Sequence, residues 1–177
     1  MAAAPVALPR AARETEDEYR RVRLTGAVAG APIHILTSVQ GEGPGYRVIA
    51  PVAAGERRVM VDLGFVPQGA KDRAVPRAEA AIEGTLLWPD ETDGFTPPPD
   101  RAANIWFARD VPSMAEALGT EPLLVVATSA LPGGPRPIPV TPDIPNNHRN
   151  YAITWFLLAA VWASMSVWLL LRLRRRG

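Results

Sequence analysis

Apolar and polar side chains alternate with a period of two at the start of the first long patterned segment. In YRRVRLTG, Val22 and Leu24 point to one face, whereas the arginines beside them point to the other. A period of two is the pattern of a β-strand with one buried face and one face in water. The segment therefore predicts a strand that begins after Tyr19.

The same alternation returns in later segments. In RRVMVDLGFVP and EAAIEGTLLW the in-phase positions are Val59, Val61, Leu63 and Phe65, and then Ile82, Gly84, Leu86 and Trp88. Apolar runs predict two more strands at 104–109 and 123–128, and shorter ones near His34 and Tyr46. The turn-forming segments GEGPG, AAGE and TPPPD separate these strands.

One short helix is predicted in SMAEALG. Ser113 lies three residues before Glu116, the spacing of a capping box, and Gly119 ends the pattern. We expect this helix to pack over one end of a barrel.

These elements predict a mainly β fold: a small antiparallel barrel or sandwich of six or seven strands with one short helix, followed by a transmembrane helix. The predicted organisation is a polar N-terminal segment (1–18), a β-rich domain (19–131), a proline-rich lead to the membrane (132–146), the transmembrane helix (147–171) and a basic tail (172–177).

The transmembrane prediction depends on the run from Tyr151 to Leu171, which contains no charged side chain. A helix of about 20 residues spans the roughly 30 Å hydrocarbon core of a bilayer. Four arginines follow the run directly, whereas the flank that directly precedes it carries only Arg149 and His148. The positive-inside rule therefore predicts a cytoplasmic C-terminus and an outer β-rich domain. Because MAAAPVALPRAARETEDE lacks the features of an export signal, we expect the natural protein to begin upstream with another membrane helix.

Composition and charge argue against several classes of function and kinds of site. The net charge is +1, and without the four C-terminal arginines it is 1 − 4 = −3, so we expect no nucleic acid partner. The chain has no cysteine, which excludes disulfides and thiolate sites. The acidic run Glu14, Glu16, Asp17 and Glu18 is interpreted as solvated, and Asp90, Glu91 and Asp93 as turn residues that cap the backbone. No nucleophile or acid–base motif is present, so we expect no enzyme.

The two histidines differ in context. His34 lies in a predicted strand without a neighbouring ligand, which favours a structural role. His148 precedes the apolar run, and helical spacing places it on one face with Tyr151, Trp155 and Trp162. An imidazole can ligate haem iron, and aromatic walls suit a large planar ligand. Ordinary interfacial anchoring by Tyr151 and Trp155 is the alternative. Small residues spaced by four, such as Ala160 and Ser164, indicate a close helix neighbour.

The segment IPNNHRNYAITWF resembles the C-terminal motif of the Surfeit locus protein 1 family, membrane-anchored assembly factors of haem-copper cytochrome c oxidase. YRRVRLTG, GPGYRVIAP, VMVDLGFVP, IEGTLLWP and NIWFARD agree in order, so the resemblance covers roughly Tyr19 to Leu171. One departure is that the family often has an arginine and a tryptophan in the strand where this chain has Leu63 and Phe65.

The resemblance implies assistance in haem a delivery to the largest subunit of the oxidase, with haem a synthase as a further partner. It implies that His148 binds the haem iron and that Tyr151 and Trp155 belong to the haem-binding segment. It also implies a bacterial inner membrane location with the main domain in the periplasm. A stable accessory subunit of a respiratory complex that binds no haem is the alternative function.

Overall fold

A computed structural model describes residues 4–73, 75–138, 140 and 148–175. The chain divides into two compact units, 1–140 and 141–177, each of which is described by itself. Among the described residues, the first unit contains seven strands, two α-helices and a 3-10 turn at Gln68–Ala70. Its elements are β1 (Val6–Ala7), α1 (Glu14–Asp17), β2 (Arg21–Val28), β3 (Ile33–Val39), β4 (Gly43–Ala54), β5 (Arg57–Pro67), β6 (Ala80–Leu87), α2 (Val111–Leu118) and β7 (Leu124–Ala127).

Five of the strands close into a barrel in the order β2, β6, β7, β5 and β4, and β4 pairs back to β2. Strand β4 makes closure possible because its residues 43–49 pair with β3, whereas Val52 and Ala53 pair with β2. A register shift between Val48 and Ile49 lies between these two halves. The predicted small β barrel is confirmed. It is mainly antiparallel, and its parallel pairs are β1 with β2 and β5 with β7.

The barrel interior is a core of aliphatic side chains contributed by all five strands. The alternation in the sequence identifies them correctly, because Val22, Val59, Val61, Leu63, Ile82 and Leu86 all lie in this core. Each of them is at most 2% exposed. Burying an aliphatic side chain of this size contributes about 1.5–3 kcal/mol, so the interior core provides much of the driving force for folding.

Strand β5 has no face in water, contrary to the prediction from its alternation. Every residue from Val59 to Val66 is buried. A second core lies on the outer face of the barrel, where Met60 and Leu124 pack in one cluster with Met114 and Leu118 of α2. Helix α2 therefore covers the outer face of the sheet, and the prediction that it packs over a barrel end is wrong.

The start of α2 also differs from the prediction. The helix begins at Val111 with Asp110 as its N-cap, and the Ser113 hydroxyl donates a hydrogen bond to the Asp110 carboxylate. Ser113 is therefore inside the helix and does not cap it. The C-terminal prediction is confirmed, since Gly119 adopts the left-handed conformation with φ of 60°.

The predicted strand at 104–109 is not formed. Trp106 makes an isolated bridge to Ile35, and Ile105 makes another to Asp100. Asn104 has a φ of 50°, which is incompatible with an extended strand at this position. The segment is held by its side chains instead, since Trp106 is 4% exposed and belongs to the outer core.

The structure contradicts one prediction for the acidic residues and confirms another. Asp17 is 5% exposed, and its carboxylate accepts hydrogen bonds from the Arg20 side chain and the Arg13 backbone amide, so it is not solvated. Asp93 does cap a turn, because it accepts a hydrogen bond from the Phe95 backbone amide.

The described part of the second unit, residues 148–175, forms one long helix, α3 (His148–Arg174). Its segment Tyr151–Arg174 is long and apolar enough to cross a membrane. None of its described side chains from 151 to 168 is buried within the chain. A helix that is apolar around its circumference has the character of a membrane span.

Candidate functional site

The predicted ligand-binding residues lie at the N-terminal end of α3. His148 is the first residue of the helix, and its side chain lies outside the described part of the structure. Tyr151 and Trp155 lie one turn apart, and their side chains are 65% and 68% exposed. Trp162, which is 74% exposed, extends the same face two turns further.

This aromatic face consists of flat, exposed rings along the helix. A rise of about 1.5 Å per residue puts Trp155 about 6 Å beyond Tyr151 and Trp162 about 10 Å beyond Trp155. The residue at position 148 lies about one turn before Tyr151 on the same face of the helix. The backbone therefore brings all four predicted positions to one face.

The other end of α3 is basic. The Arg172 guanidinium lies 5.1 Å from the centre of the Trp168 ring, a cation–π arrangement. Nearer the middle, the Ser164 hydroxyl donates a hydrogen bond to the Ala160 carbonyl at 2.7 Å. This bond satisfies a polar group that would otherwise be costly in lipid.

His34 is a packed side chain of the β domain. Its ring is 7% exposed, its Nδ1 lies 3.1 Å from the Asn104 side-chain amide nitrogen, and its edge-to-face contact with Tyr46 has a centroid distance of 5.9 Å. Burial lowers the pKa of His34, and the nearby Lys71 charge lowers it further. The structural role predicted for His34 agrees with this environment.

The sequence analysis did not predict a cluster of charged side chains around the buried residue Asp62. The Asp62 carboxylate is fully buried and accepts hydrogen bonds from Arg47 at 2.5 Å and from the Gly64 backbone amide at 3.0 Å. Burial raises the pKa of Asp62, and the Arg47 guanidinium opposes that rise. A second pair, Glu91 with Arg109, interacts electrostatically with the first.

The sequence contained only a partial signal for this cluster. Asp62 is the single charged residue within the run VMVDLGFVP, and the period-two pattern assigns it to a wet face. Its partner Arg47 lies on the neighbouring strand β4, a relationship that depends on strand register. Each charge in the Asp62–Arg47 pair is satisfied by its partner, so the pair has the character of a structural element.

Metal-binding groups are scarce in the described part of the chain. Residues 4–73, 75–138, 140 and 148–175 contain no group of three or more histidine, cysteine or carboxylate side chains placed to hold a metal ion. One of the two histidines of the chain is packed in the β domain, and the other begins the aromatic face of α3.

Comparison with known proteins identifies the relatives of the chain. The model of the SURF1 family matches residues 1–160. The chain is 29% identical to Surfeit locus protein 1 of Takifugu rubripes over 92% of this chain and 79% of that protein. It is 32% identical to the Gallus gallus protein of the same name over 66% of this chain and 40% of that protein.

The Xenopus tropicalis Surfeit locus protein 1 is 29% identical over 66% of this chain and 41% of its own length. The chain thus spans about two fifths of some of these relatives and about four fifths of another. None of these names denotes an enzyme. The match over most of the chain confirms the resemblance found in the motifs: the chain belongs to the SURF1 family.

Proposed function

We propose that this chain is a membrane-anchored assembly factor for haem-copper cytochrome c oxidase that assists delivery of haem a to the largest subunit. His148 is the proposed ligand of the haem iron, and Tyr151 and Trp155 form the aromatic wall. Haem a synthase is the proposed donor of the haem. The observation that carries the proposal is the aromatic face of α3, which begins at a histidine.

Family membership supports the assembly role, and the chemistry of the α3 face supports the haem role. Imidazole is a common axial ligand of haem iron, and flat apolar rings pack well against a porphyrin. Tyr151 and Trp155 are exposed within the chain, so their faces are open to a planar ligand. His34 cannot take this role without rearrangement, because its ring is packed and its Nδ1 lies next to Asn104.

The arrangement suits transfer better than storage. A single histidine ligand leaves one axial position for a group from a donor or recipient protein. A ligand held at the edge of one helix also remains accessible to a partner in the membrane. Haem a is therefore cargo that passes through the site, and the recipient provides the tighter coordination.

The first experiment measures haem bound to the full chain purified after co-expression with the enzymes of haem a synthesis. Wild type is compared with His148→Ala, with Trp155→Leu and with the matched control His34→Gln. We expect the haem content and the visible absorption of wild type and His34→Gln to agree within about twofold. We expect His148→Ala to lose at least about 90% of the bound haem, because the iron–imidazole bond is removed.

Circular dichroism establishes that each variant is folded. Equal haem content in wild type and His148→Ala would contradict the ligand assignment. No bound haem in any form, together with stable association with the oxidase, would favour the alternative of an accessory subunit. Oxidase assembled with its full haem complement in cells lacking this protein would contradict the delivery role.

The proposed location is the bacterial inner membrane, with the β domain in the periplasm and the C-terminus in the cytoplasm. The arginines that follow the apolar run support this orientation. Because the chain has no cysteine, single-cysteine variants report topology without background. A membrane-impermeant maleimide should label Ala78→Cys in intact spheroplasts and should label Arg175→Cys only after lysis. The reverse pattern would overturn the orientation.

A further inference from the structure

A cavity of about 180 Å³ lies beside the end of β5 and is lined by residues of the β domain. Its apolar wall includes Pro67 and Val75, and its polar wall contains Lys71, Arg73 and Arg136. We call this feature the basic cavity. Its size is comparable to cavities that admit a ring-sized molecule, so it has room for one small chemical group.

The walls of the basic cavity are fixed by backbone contacts. Phe65 and Arg136 exchange two backbone hydrogen bonds, of 2.7 and 3.0 Å, which hold the segment after Gly134 against β5. Gly64 has a φ of 108°, and a Cβ atom there would collide with the Arg136 carbonyl oxygen. A glycine is thus required for the close approach that positions Arg136.

Positive charge is concentrated at this cavity. Its lining contains three cations, Lys71, Arg73 and Arg136, and one carboxylate, Glu42, so its net charge is 3 − 1 = +2. The chain without its four C-terminal arginines has the opposite sign: 19 − 4 = 15 cations and 18 carboxylates give −3. A local field opposite in sign to the rest of the domain attracts anions.

The three cations differ in how far their charges are satisfied. Arg136 pairs with the Glu42 carboxylate, with side chains 54% and 39% exposed, and Lys71 donates a hydrogen bond to the Ala103 carbonyl. The Arg73 side chain has no hydrogen bond or ion pair among the residues that the structure describes. Within that described part, the cavity therefore offers one free guanidinium and two cations whose present partners are exposed.

We propose that the basic cavity binds the anionic group, phosphate or carboxylate, of a small amphiphile whose apolar part contacts Pro67 and Val75, the more exposed apolar residues of the lining. Arginine forms paired hydrogen bonds with both kinds of anion, which fits the presence of Arg73 and Arg136 in the lining of the cavity. The apolar wall adds affinity for an adjoining hydrocarbon group. This inference goes beyond the haem proposal, because it uses none of the residues of α3.

The test uses the full chain in phosphatidylcholine nanodiscs, which contain no anionic lipid, with empty nanodiscs as the reference. Isothermal titration is performed with dihexanoyl phosphatidic acid, with hexanoate and with inorganic phosphate. We expect saturable binding of at least one amphiphile, with a Kd at least about tenfold lower than that of inorganic phosphate because of the apolar contact. The preferred amphiphile distinguishes a phosphate ligand from a carboxylate ligand.

Two variants and one matched control test the placement of the ligand. Arg73→Gln should raise the Kd at least about tenfold, whereas Arg10→Gln, an exposed arginine outside the cavity, should leave it within about twofold. Glu42→Gln should lower the Kd, because it releases Arg136 from its carboxylate partner. This gain of affinity could not result from misfolding.

Three outcomes would overturn the proposal. The first is no saturable binding of either amphiphile to folded wild-type protein. The second is equal affinity for inorganic phosphate and for the amphiphiles, which would indicate a simple anion site. The third is an equal effect of the Arg73 and Arg10 substitutions, which would indicate a general effect of charge. Loss of haem from His148→Ala has no bearing on these results, so the two proposals fail independently.

Discussion

The Asp62 carboxylate, which is fully buried, lies 2.5 Å from the Arg47 guanidinium. The two residues come from the paired strands β4 and β5 on the outer side of the barrel. A buried ion pair is costly to desolvate, but each charge is far more costly when it is left alone. Because a shift in register would separate the two charges, the pair favours the observed register of β4 against β5.

Removal of one partner from this ion pair should destabilise the protein strongly. We expect Asp62→Asn or Arg47→Met alone to lower the free energy of unfolding by about 3–5 kcal/mol, because an uncompensated polar or charged group stays buried. Urea unfolding in detergent micelles, followed by tryptophan fluorescence, measures the change. The double variant Asp62→Leu with Arg47→Met should recover most of the loss. A single variant as stable as wild type would contradict the structural role of the pair.

Gly64 should be far less tolerant of substitution than a glycine with similar φ in open space. Gly41 has a φ of 86° with open space where a Cβ atom would lie, whereas Gly64 has a φ of 108° and the Arg136 carbonyl in that position. Gly41→Ala should cost about 1–2 kcal/mol from backbone strain alone. Gly64→Ala should cost about 3 kcal/mol or more, because the segment around Arg136 must move. Thermal unfolding of both variants measures the difference, and equal losses would show that the close approach is unimportant.

The alternation of side chains is sufficient to predict the barrel interior but not what covers its outer face. A period of two assigns Val59, Val61 and Leu63 to the core, since a strand presents alternate residues to each side. Burial of Met60 depends on α2 and the segment around Trp106, which are remote in sequence. Local patterns contain no information about such long-range coverage.

The incorrect prediction of a strand at 104–109 has a related cause. NIWFARD is rich in residues favoured in strands, but that preference reflects packing on a half-buried surface as much as backbone conformation. Trp106 finds that packing in the outer core through a single bridge to β3. At the candidate site, helical spacing predicts the shared face of Tyr151 and Trp155, whereas binding of haem depends on chemistry that periodicity does not encode.

His34 should titrate below its ordinary range. Burial and the Lys71 charge lower its pKa in the folded state below about 6.5, the value expected in the unfolded chain. The unfolded state therefore binds more protons as pH falls below about 6.5, so stability decreases until the folded pKa is reached. Proton NMR of the ring should give a pKa below that of a free histidine. His34→Gln should flatten the decrease in stability between about pH 7 and 5, and an unchanged slope would contradict the assignment.

The Glu91–Arg109 pair should contribute to stability only above acidic pH. Glu91 accepts hydrogen bonds from the Arg109 side chain and backbone at 3.0–3.1 Å. Burial alone would raise the pKa of Glu91, but these hydrogen bonds and the Arg109 charge lower it overall. A lowered pKa in the folded state means that the contribution is present above the unfolded value of about 4.3 and is lost as pH falls through the folded value.

Thermal unfolding at a series of pH values between about 6 and 3 tests this expectation. Wild type should lose stability as the pH decreases, and Arg109→Gln should show a smaller loss because Glu91 no longer has its charged partner. Arg10→Gln, at an exposed position without an ion pair in the described residues, is the matched control and should follow the wild-type curve. Since the Glu91 side chain is 42% exposed, added salt should weaken the difference between wild type and Arg109→Gln. Parallel curves for wild type and Arg109→Gln would show that the pair makes no pH-dependent contribution. Acid sensitivity would then have to come from the other carboxyls of the described residues whose pKa is lowered, Asp17, Asp93 and Glu121.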